Sequence, residues 1–483
     1  MTQISLARKS VGGISLWLFQ VGASAPLTVL AGSVVATYAA TGVVGVPLSF
    51  LVLAVALLPL TLSYVAMSRY VPHPAIFYGL SARGLGGAAG VASGAVALLS
   101  YNAIQWSLYG LFGYTVAGLT GLPWWVCAAL AWVTVGVLGV LRVDINATFF
   151  AWALLAEIAV VVLLDLAAFG NPAGGSISAA PLAFDNLVVD GLGGVLALGI
   201  AAFVGYESGP AYAEEARSSR SVTAATFGAL AFVGVFYALS SWALAVAVGP
   251  ANVSAAANAD PDLPMTVLKE HYGNPMVWIA TLLLISSILA AMLSFHNGVA
   301  RYVFGMAREQ VLPVSLARIG SGVHGGAPTA GSLLQSAAAI VVVLLTVVLG
   351  VDPMAMFTWL ATGAAIGVLV LLITTAVASF VFFARGGGAG ESVLTRRIAP
   401  IVGGLLGLAV LGVTVFNLDS LLGVDPGSAL PWILPVIIAL AAVAGLVGGL
   451  VLRSRNREVY DGIGHGQPNP LATPEQRLAE LEI

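Results

Sequence analysis

Val204-Gly205-Tyr206-Glu207-Ser208-Gly209-Pro210 interrupts a long apolar stretch, and Val21-Gly22-Ala23-Ser24-Ala25-Pro26 interrupts an earlier one in the same way. Both run Val-Gly, a few small or polar residues, then Pro. Glycine weakens a helix by about 1 kcal/mol relative to alanine, and proline removes a donor and clashes with the preceding turn at about 3 kcal/mol. Both segments are therefore expected to unwind. What that means depends on the solvent around them.

The solvent is a bilayer. Hydrophobic residues make up 59% of the 483 and charged residues only 8%, with a mean hydropathy of +1.00. No soluble domain of this length hides so much apolar side chain. About twelve stretches approach the roughly 20 residues that cross a hydrocarbon core as a helix. We place them at 14–39, 44–68, 88–117, 123–141, 146–169, 191–213, 222–248, 275–304, 328–350, 354–384, 398–420 and 429–452. The first is too long for a signal peptide and continues into others, so no cleavage is expected. With the N-terminus inside, all of the 18 Lys and Arg residues except Lys269 fall in inner segments, as the retention of basic loops requires. Both termini are then cytoplasmic, and the tail from Arg453 is polar with a short helical stretch at 474–481. The single cysteine, Cys127, excludes an internal disulfide and any multi-cysteine metal site.

Within hydrocarbon, unwound backbone is tolerated only where protein buries it or it lines a polar cavity, so each break implies a site. Interruptions at matching places, in the first and sixth spans, point to an inverted repeat of five plus five helices. The expected division is 1–13 as an N-terminal segment, 14–169 and 191–384 as the repeats, 398–452 as two accessory helices and 453–483 as the tail. The half-helix restarting near Ser24 to Thr28 offers N–H groups and a positive dipole end to a carboxylate. The half-helix ending near Phe203 to Gly205 offers carbonyls to an ammonium group. A zwitterion suits both.

Further residues add a family likeness. Phe203-Val204-Gly205-Tyr206-Glu207 followed by Glu214-Glu215-Ala216-Arg217 resembles the sixth-helix pattern of the amino acid/polyamine/organocation superfamily, an aromatic-x-Gly-aromatic-acid run before a Glu pair. Asn297-Gly298-Val299-Ala300-Arg301, then Ala307 to Pro313, resembles the end of that family's eighth helix and the loop after it. Ala327-Pro328-Thr329 is similar to its turn into helix nine, and Arg69-Tyr70-Val71-Pro72 to its turn after helix two, with His73-Pro74-Ala75 replacing the usual glycines. The resemblance covers about residues 10 to 455. It implies twelve helices, alternating access and a substrate held at the two breaks. The first break lacks the glycine-dense run that many relatives use for a carboxylate.

Candidate substrate-binding residues are Gly22, Ala23, Ser24 and Ala25 at the first break and Phe203, Val204, Gly205, Tyr206 and Glu207 at the second. Asn102 and Gln105 join them, since Asn102, Gln105, Trp106 and Tyr109 share one face of the third span. An acid inside a membrane costs about 2.5 to 3.5 kcal/mol and needs an explanation. Glu207 is read either as a contact for the substrate amine or a gating hydrogen bond, or as a structural cap on the broken helix. Asp165 is read as interfacial, and Glu214 and Glu215 as partners of inner arginines. Glu157, in the middle of the fifth span, is the candidate for proton coupling, because an acid that is neutral when buried and ionised when wetted carries a proton as access alternates. Some proton-coupled relatives place a lysine in that helix, and this chain has no lysine in any span. Ser286 and Ser287 are the candidates for a sodium site.

His73, His271, His296, His324 and His465 are scattered without metal-ligand spacing, and no Gly-x-Ser-x-Gly elbow or P-loop is present, so an enzyme or ATP-driven pump is not expected. The expected protein is a secondary active uptake permease for a small neutral amino acid in a bacterial cytoplasmic membrane. H+ is its coupling ion, with Na+ as alternative, and it has no cofactor and no nucleic-acid partner. A polyamine transporter, an exchanger, or a receptor, channel or scaffold without transport are the competing readings.

Overall fold

The computed structural model describes residues 11–141, 143–213, 216–320, 326–388, 390–425, 427–466 and 470–471, the side chains of 143–150 and 420 excepted. The expected helix at 474–481 and the Glu214-Glu215 pair lie outside the described residues. Within them the chain is helical, with one isolated backbone bridge between Val11 and Ala216. Eleven helices are long and apolar enough to cross a membrane, and Trp124–Gly139 is a shorter apolar twelfth.

In chain order these are α1 Gly13–Thr41, α2 Val46–Ser68, α3 Gly87–Thr120, α4 Trp124–Gly139, α5 Val143–Gly170 and α6 Leu192–Tyr212. The second half comprises α7 Ser219–Val248, α8 Leu263–Arg308, α9 Thr329–Val348, α10 Pro353–Ala384, α11 Leu394–Phe416 and α12 Leu430–Arg455. Local chemistry sets several ends. Asp352 opens α10 by accepting the amides of Met354 and Ala355, with Pro353 at the first helical position. Ser218 opens α7 by accepting the amide of Ser221.

Three features depart from the span list. α8 begins at Leu263 and bends at Gly273, whose backbone is not helical, so its outer part extends beyond the expected 275. The loop after α2 contains a short helix, Ile76–Leu85, too short and too polar to read as a span. In α1 the residues Val29–Val34 form a π-helical stretch after the short α-helical restart Pro26–Thr28, a local widening that is frequent at functional sites.

Packing follows from lipid on the outside. α3 is the central strut, lying against α10, α12, α8 and the Ile76–Leu85 helix. α12 reaches it closely because Gly445 and Gly449 face it four residues apart; a Cβ on either would stand 2.7 Å from Ala92 Cα or 2.5 Å from Ala88 Cα. Large apolar residues such as Leu130, Leu166, Leu344, Leu405 and Leu440 are exposed, as a lipid-facing surface demands. α1 and α6 are the most deeply buried spans. The two interrupted helices therefore form the centre of the bundle.

Candidate functional site

The breaks are real and they touch. In α1 the helix stops at Ser24, Ala25 takes a left-handed conformation (φ 48°), and the helix restarts at Pro26. In α6 it stops at Phe203, Val204 is extended, Gly205 is left-handed (φ 114°), and Tyr206–Tyr212 continues as a 3-10 helix containing Pro210. A Cβ on Gly205 would lie 2.7 Å from Ala23 Cβ and 3.3 Å from Ser24 N, so the two breaks meet face to face.

Glu207 holds the second break together. Its Oε2 accepts the Gly205 amide at 2.8 Å, its Oε1 accepts the Tyr101 hydroxyl at 2.8 Å, and its backbone carbonyl accepts the Tyr64 hydroxyl at 2.6 Å. The side chain is fully buried. Of its two readings, the geometry here is that of a cap on the broken helix, tied to α2 and α3. Removing one partner of a buried polar group leaves the other unsatisfied at about 1–3 kcal/mol. Tyr101→Phe is therefore expected to lower stability by about that amount while leaving membrane insertion intact. An unchanged thermal melt would mean that the bond carries no weight.

Beside the breaks lies a mostly apolar cavity. Phe19 and Ala23 of α1, Gly205, Ser208, Ala211 and Tyr212 of α6, and Tyr101 of α3 form part of its wall, and Ser294, Phe295, Gly298, Arg301 and Tyr302 of α8 form the other. Pro74 and Ile76 line it toward the end of the bundle where α1 begins and α8 ends. Tyr101 stacks on Phe295 (centroids 6.2 Å apart), and the Arg301 guanidinium lies over the Tyr212 ring at 4.6 Å. Of the α8 residues, Gly298 and Arg301 enter the sequence reading only as part of the eighth-helix resemblance, which does not place them at the cavity.

Among the candidate substrate residues, Ala23 and Gly205 line the cavity. Gly22, Ser24 and Ala25 adjoin it along α1; Ser24 accepts the Tyr237 hydroxyl on its carbonyl at 2.9 Å. Phe203 and Val204 are buried, and Tyr206 turns toward α2, where its hydroxyl meets Thr61 at 2.9 Å. Asn102 donates to the Leu98 carbonyl of its own helix. Gln105 joins a buried chain across α3, α8 and α9, bonded to Gln335 and to His296 Nδ1, with His296 Nε2 on Ser332. Gln105→Ala is accordingly expected to lower thermal stability without altering the order of preferred substrates, whereas Ser294→Ala and Tyr302→Phe alter it. A changed order in Gln105→Ala would place that residue at the substrate, as its helical face suggests.

A second polar cluster adjoins the first break. The Thr28 hydroxyl donates to Ser287 Oγ at 3.0 Å, and Ser287 donates to Glu157 Oε2 at 2.6 Å, with the Leu27 backbone alongside. Glu157 is 2% exposed. The candidates for proton and for ion coupling thus share one place between α1, α5 and α8. Ser286 stands apart, donating to Leu283 in its own helix. Asp165 accepts from Ser240 at 2.9 Å and joins α5 to α7.

Among the described residues no three His, Cys, Asp or Glu side chains group to hold a metal. Comparison with curated proteins finds no match. A protein-family comparison matches residues 11–447, which take in both breaks, the cavity walls and the Glu157 cluster, to the family described as amino acid permease. By that match over most of its length, the chain belongs to the amino acid permease family of the amino acid/polyamine/organocation superfamily, a family of membrane transporters of amino acids.

Proposed function

We propose that this permease is a secondary active uptake system for a small, neutral amino acid, working by alternating access and driven by protons. The observation that carries the reading is the position of Glu157, hydrogen-bonded through Ser287 to Thr28, just beyond the α1 break. There a proton gained or lost acts on the same segment that holds the substrate. The cavity supports a compact neutral substrate, because aromatic and small residues dominate its wall. Both Glu207 oxygens are occupied by Gly205 and Tyr101, which favours a zwitterion over a polyamine needing a second acid. Its ammonium group would meet the last carbonyls of the α6 half-helix, those beyond Ile200 and Ala201, whose own carbonyls accept the Val204 amide.

In this reading α1 to α5 and α6 to α10 are the two inverted repeats, α11 and α12 are accessory, and the chain lies in a cytoplasmic membrane with both termini inside. The test is uptake of radiolabelled glycine, alanine and leucine into liposomes carrying the purified protein. Accumulation under an inward proton gradient, saturable and competed by one of these, is the expected result. Accumulation that follows a sodium gradient at equal pH would assign the Glu157, Ser287 and Thr28 oxygens to sodium instead. Preference for putrescine or spermidine would overturn the substrate class.

A further inference from the structure

Beyond α12 the chain turns back on the bundle. Asn456 caps a short helix, Arg457–Gly462, by accepting the Val459 amide, and Tyr460 packs over Gly87 at the start of α3. The next residues enter the protein: Ile463 is 2% exposed, with its Cδ1 against Gly87. Gly464 and Gly466 then donate their amides, each at 2.7 Å, to the two oxygens of Glu309 at the end of α8. Both glycines are left-handed (φ 75° and 66°), the conformation that turns successive amides toward one anion.

Glu309 collects two further donors, the Tyr78 hydroxyl at 2.5 Å and His73 Nε2 at 3.3 Å. Burial acts to raise its carboxyl, but the hydrogen bonds of His73, Tyr78 and Gly464 hold it below the usual carboxylate range. The buried carboxylate therefore ties together the loop after α2, the Ile76–Leu85 helix, the end of α8 and the tail. That loop is a cavity wall, since Pro74 and Ile76 line it and Gly305 of α8 packs against His73, Pro74 and Ala75. Cavity-lining Arg301 and Tyr302 lie roughly two turns before Glu309 on the same helix.

We propose that the segment 457–466 is a latch on the transport path: by seating Gly464 and Gly466 on Glu309 it clamps the Pro74 wall against α8, and its release opens the cavity at that end. The latch rests on the cavity being the substrate route. Its readout needs neither substrate nor coupling ion, so its failure is distinguishable from failure of the proton-driven reading.

The experiment labels a single cysteine, Ser208→Cys in a Cys127→Ser background, with a charged, membrane-impermeant thiol reagent on the full-length protein in detergent. Gly464→Ala with Gly466→Ala removes the left-handed turns, and the first also places a Cβ 2.6 Å from Ala82 Cβ. The labelling rate of Cys at 208 is expected to rise about tenfold, equivalent to about 1.4 kcal/mol of lost closure, with the melt and elution volume retained. In parallel, a chain with a protease site inserted between Arg455 and Asn456 folds with its tail in place and is then cut and stripped of it. The same rise is expected there. An unchanged rate in the cut protein would overturn the latch, whatever the glycine variant does.

Discussion

Gly205→Val is expected to abolish substrate binding while the protein still inserts and elutes as a monodisperse species. Two penalties combine at this position. A β-branched residue at φ 114° lies outside the conformations that side chains adopt readily, at a cost of about 1–2 kcal/mol. Its Cβ would also stand 2.7 Å from Ala23 Cβ and 3.2 Å from the Ala23 carbonyl carbon, on the other break, and such overpacking costs about 1–3 kcal/mol. The break relaxes away from its native geometry to accept the valine, and binding, which needs that geometry, must restore it at about 2–5 kcal/mol, a loss of affinity from about thirtyfold upward at 1.4 kcal/mol per tenfold. Gly22→Ala is the control, because a Cβ there meets only Leu154 Cδ2 at 3.9 Å. Substrate-induced thermal shift measures both. Wild-type affinity in a folded Gly205→Val would move the site away from the breaks, and equal loss in Gly22→Ala, which keeps α1 helical there, would show that the meeting of the two breaks at Gly205 is not what is being measured.

Glu157→Gln is expected to separate coupling from transport. Each pH unit across the membrane supplies about 1.4 kcal/mol per proton, so a one-proton symporter accumulates substrate up to about tenfold per unit. The glutamine keeps the size of the side chain and an oxygen to accept from Ser287, so the link between α5 and α8 is kept, while its NH2 group cannot accept from the Leu27 backbone as a carboxylate oxygen does. What it cannot do is gain or lose a proton. Accumulation under a pH gradient should fall to equilibration, while exchange of internal for external labelled substrate continues. Undiminished proton-driven accumulation would remove Glu157 from the mechanism, and loss of exchange as well would make it a structural residue.

Much of the fold was legible because the bilayer leaves few alternatives. Twelve apolar stretches had to be helices. The second break was readable at residue level because Gly and Pro act locally, Gly205 being left-handed and Pro210 standing where the chain departs from regular helix; at the first, Pro26 marks the restart, but Gly22 stays helical and the left-handed residue is Ala25, which propensity does not select. The site was less legible. On α3, helical spacing placed Asn102 and Gln105 on a common face but could not say which neighbour that face meets. Gln105 meets Gln335 and His296, whereas Tyr101, one position from Asn102, reaches Glu207 and the cavity. Spacing along a helix fixes relative direction, and only packing fixes the absolute one.

The same division holds for the polar residues. Sequence by itself determined that Glu157 and Glu207 are acids in hydrocarbon and so needed partners. It also determined the solvent, the helical class and the two interruptions. Tertiary structure decided which partners: Ser287, 130 residues away, for Glu157, and Tyr101, 106 residues away, for Glu207. It also decided that Gly464 and Gly466, in a polar tail with no periodic signal, seat on Glu309. Hydrophobicity and backbone propensity act within a few residues and can be read along the chain. A hydrogen bond between distant segments depends on which helices become neighbours, and that emerges only when the whole bundle packs.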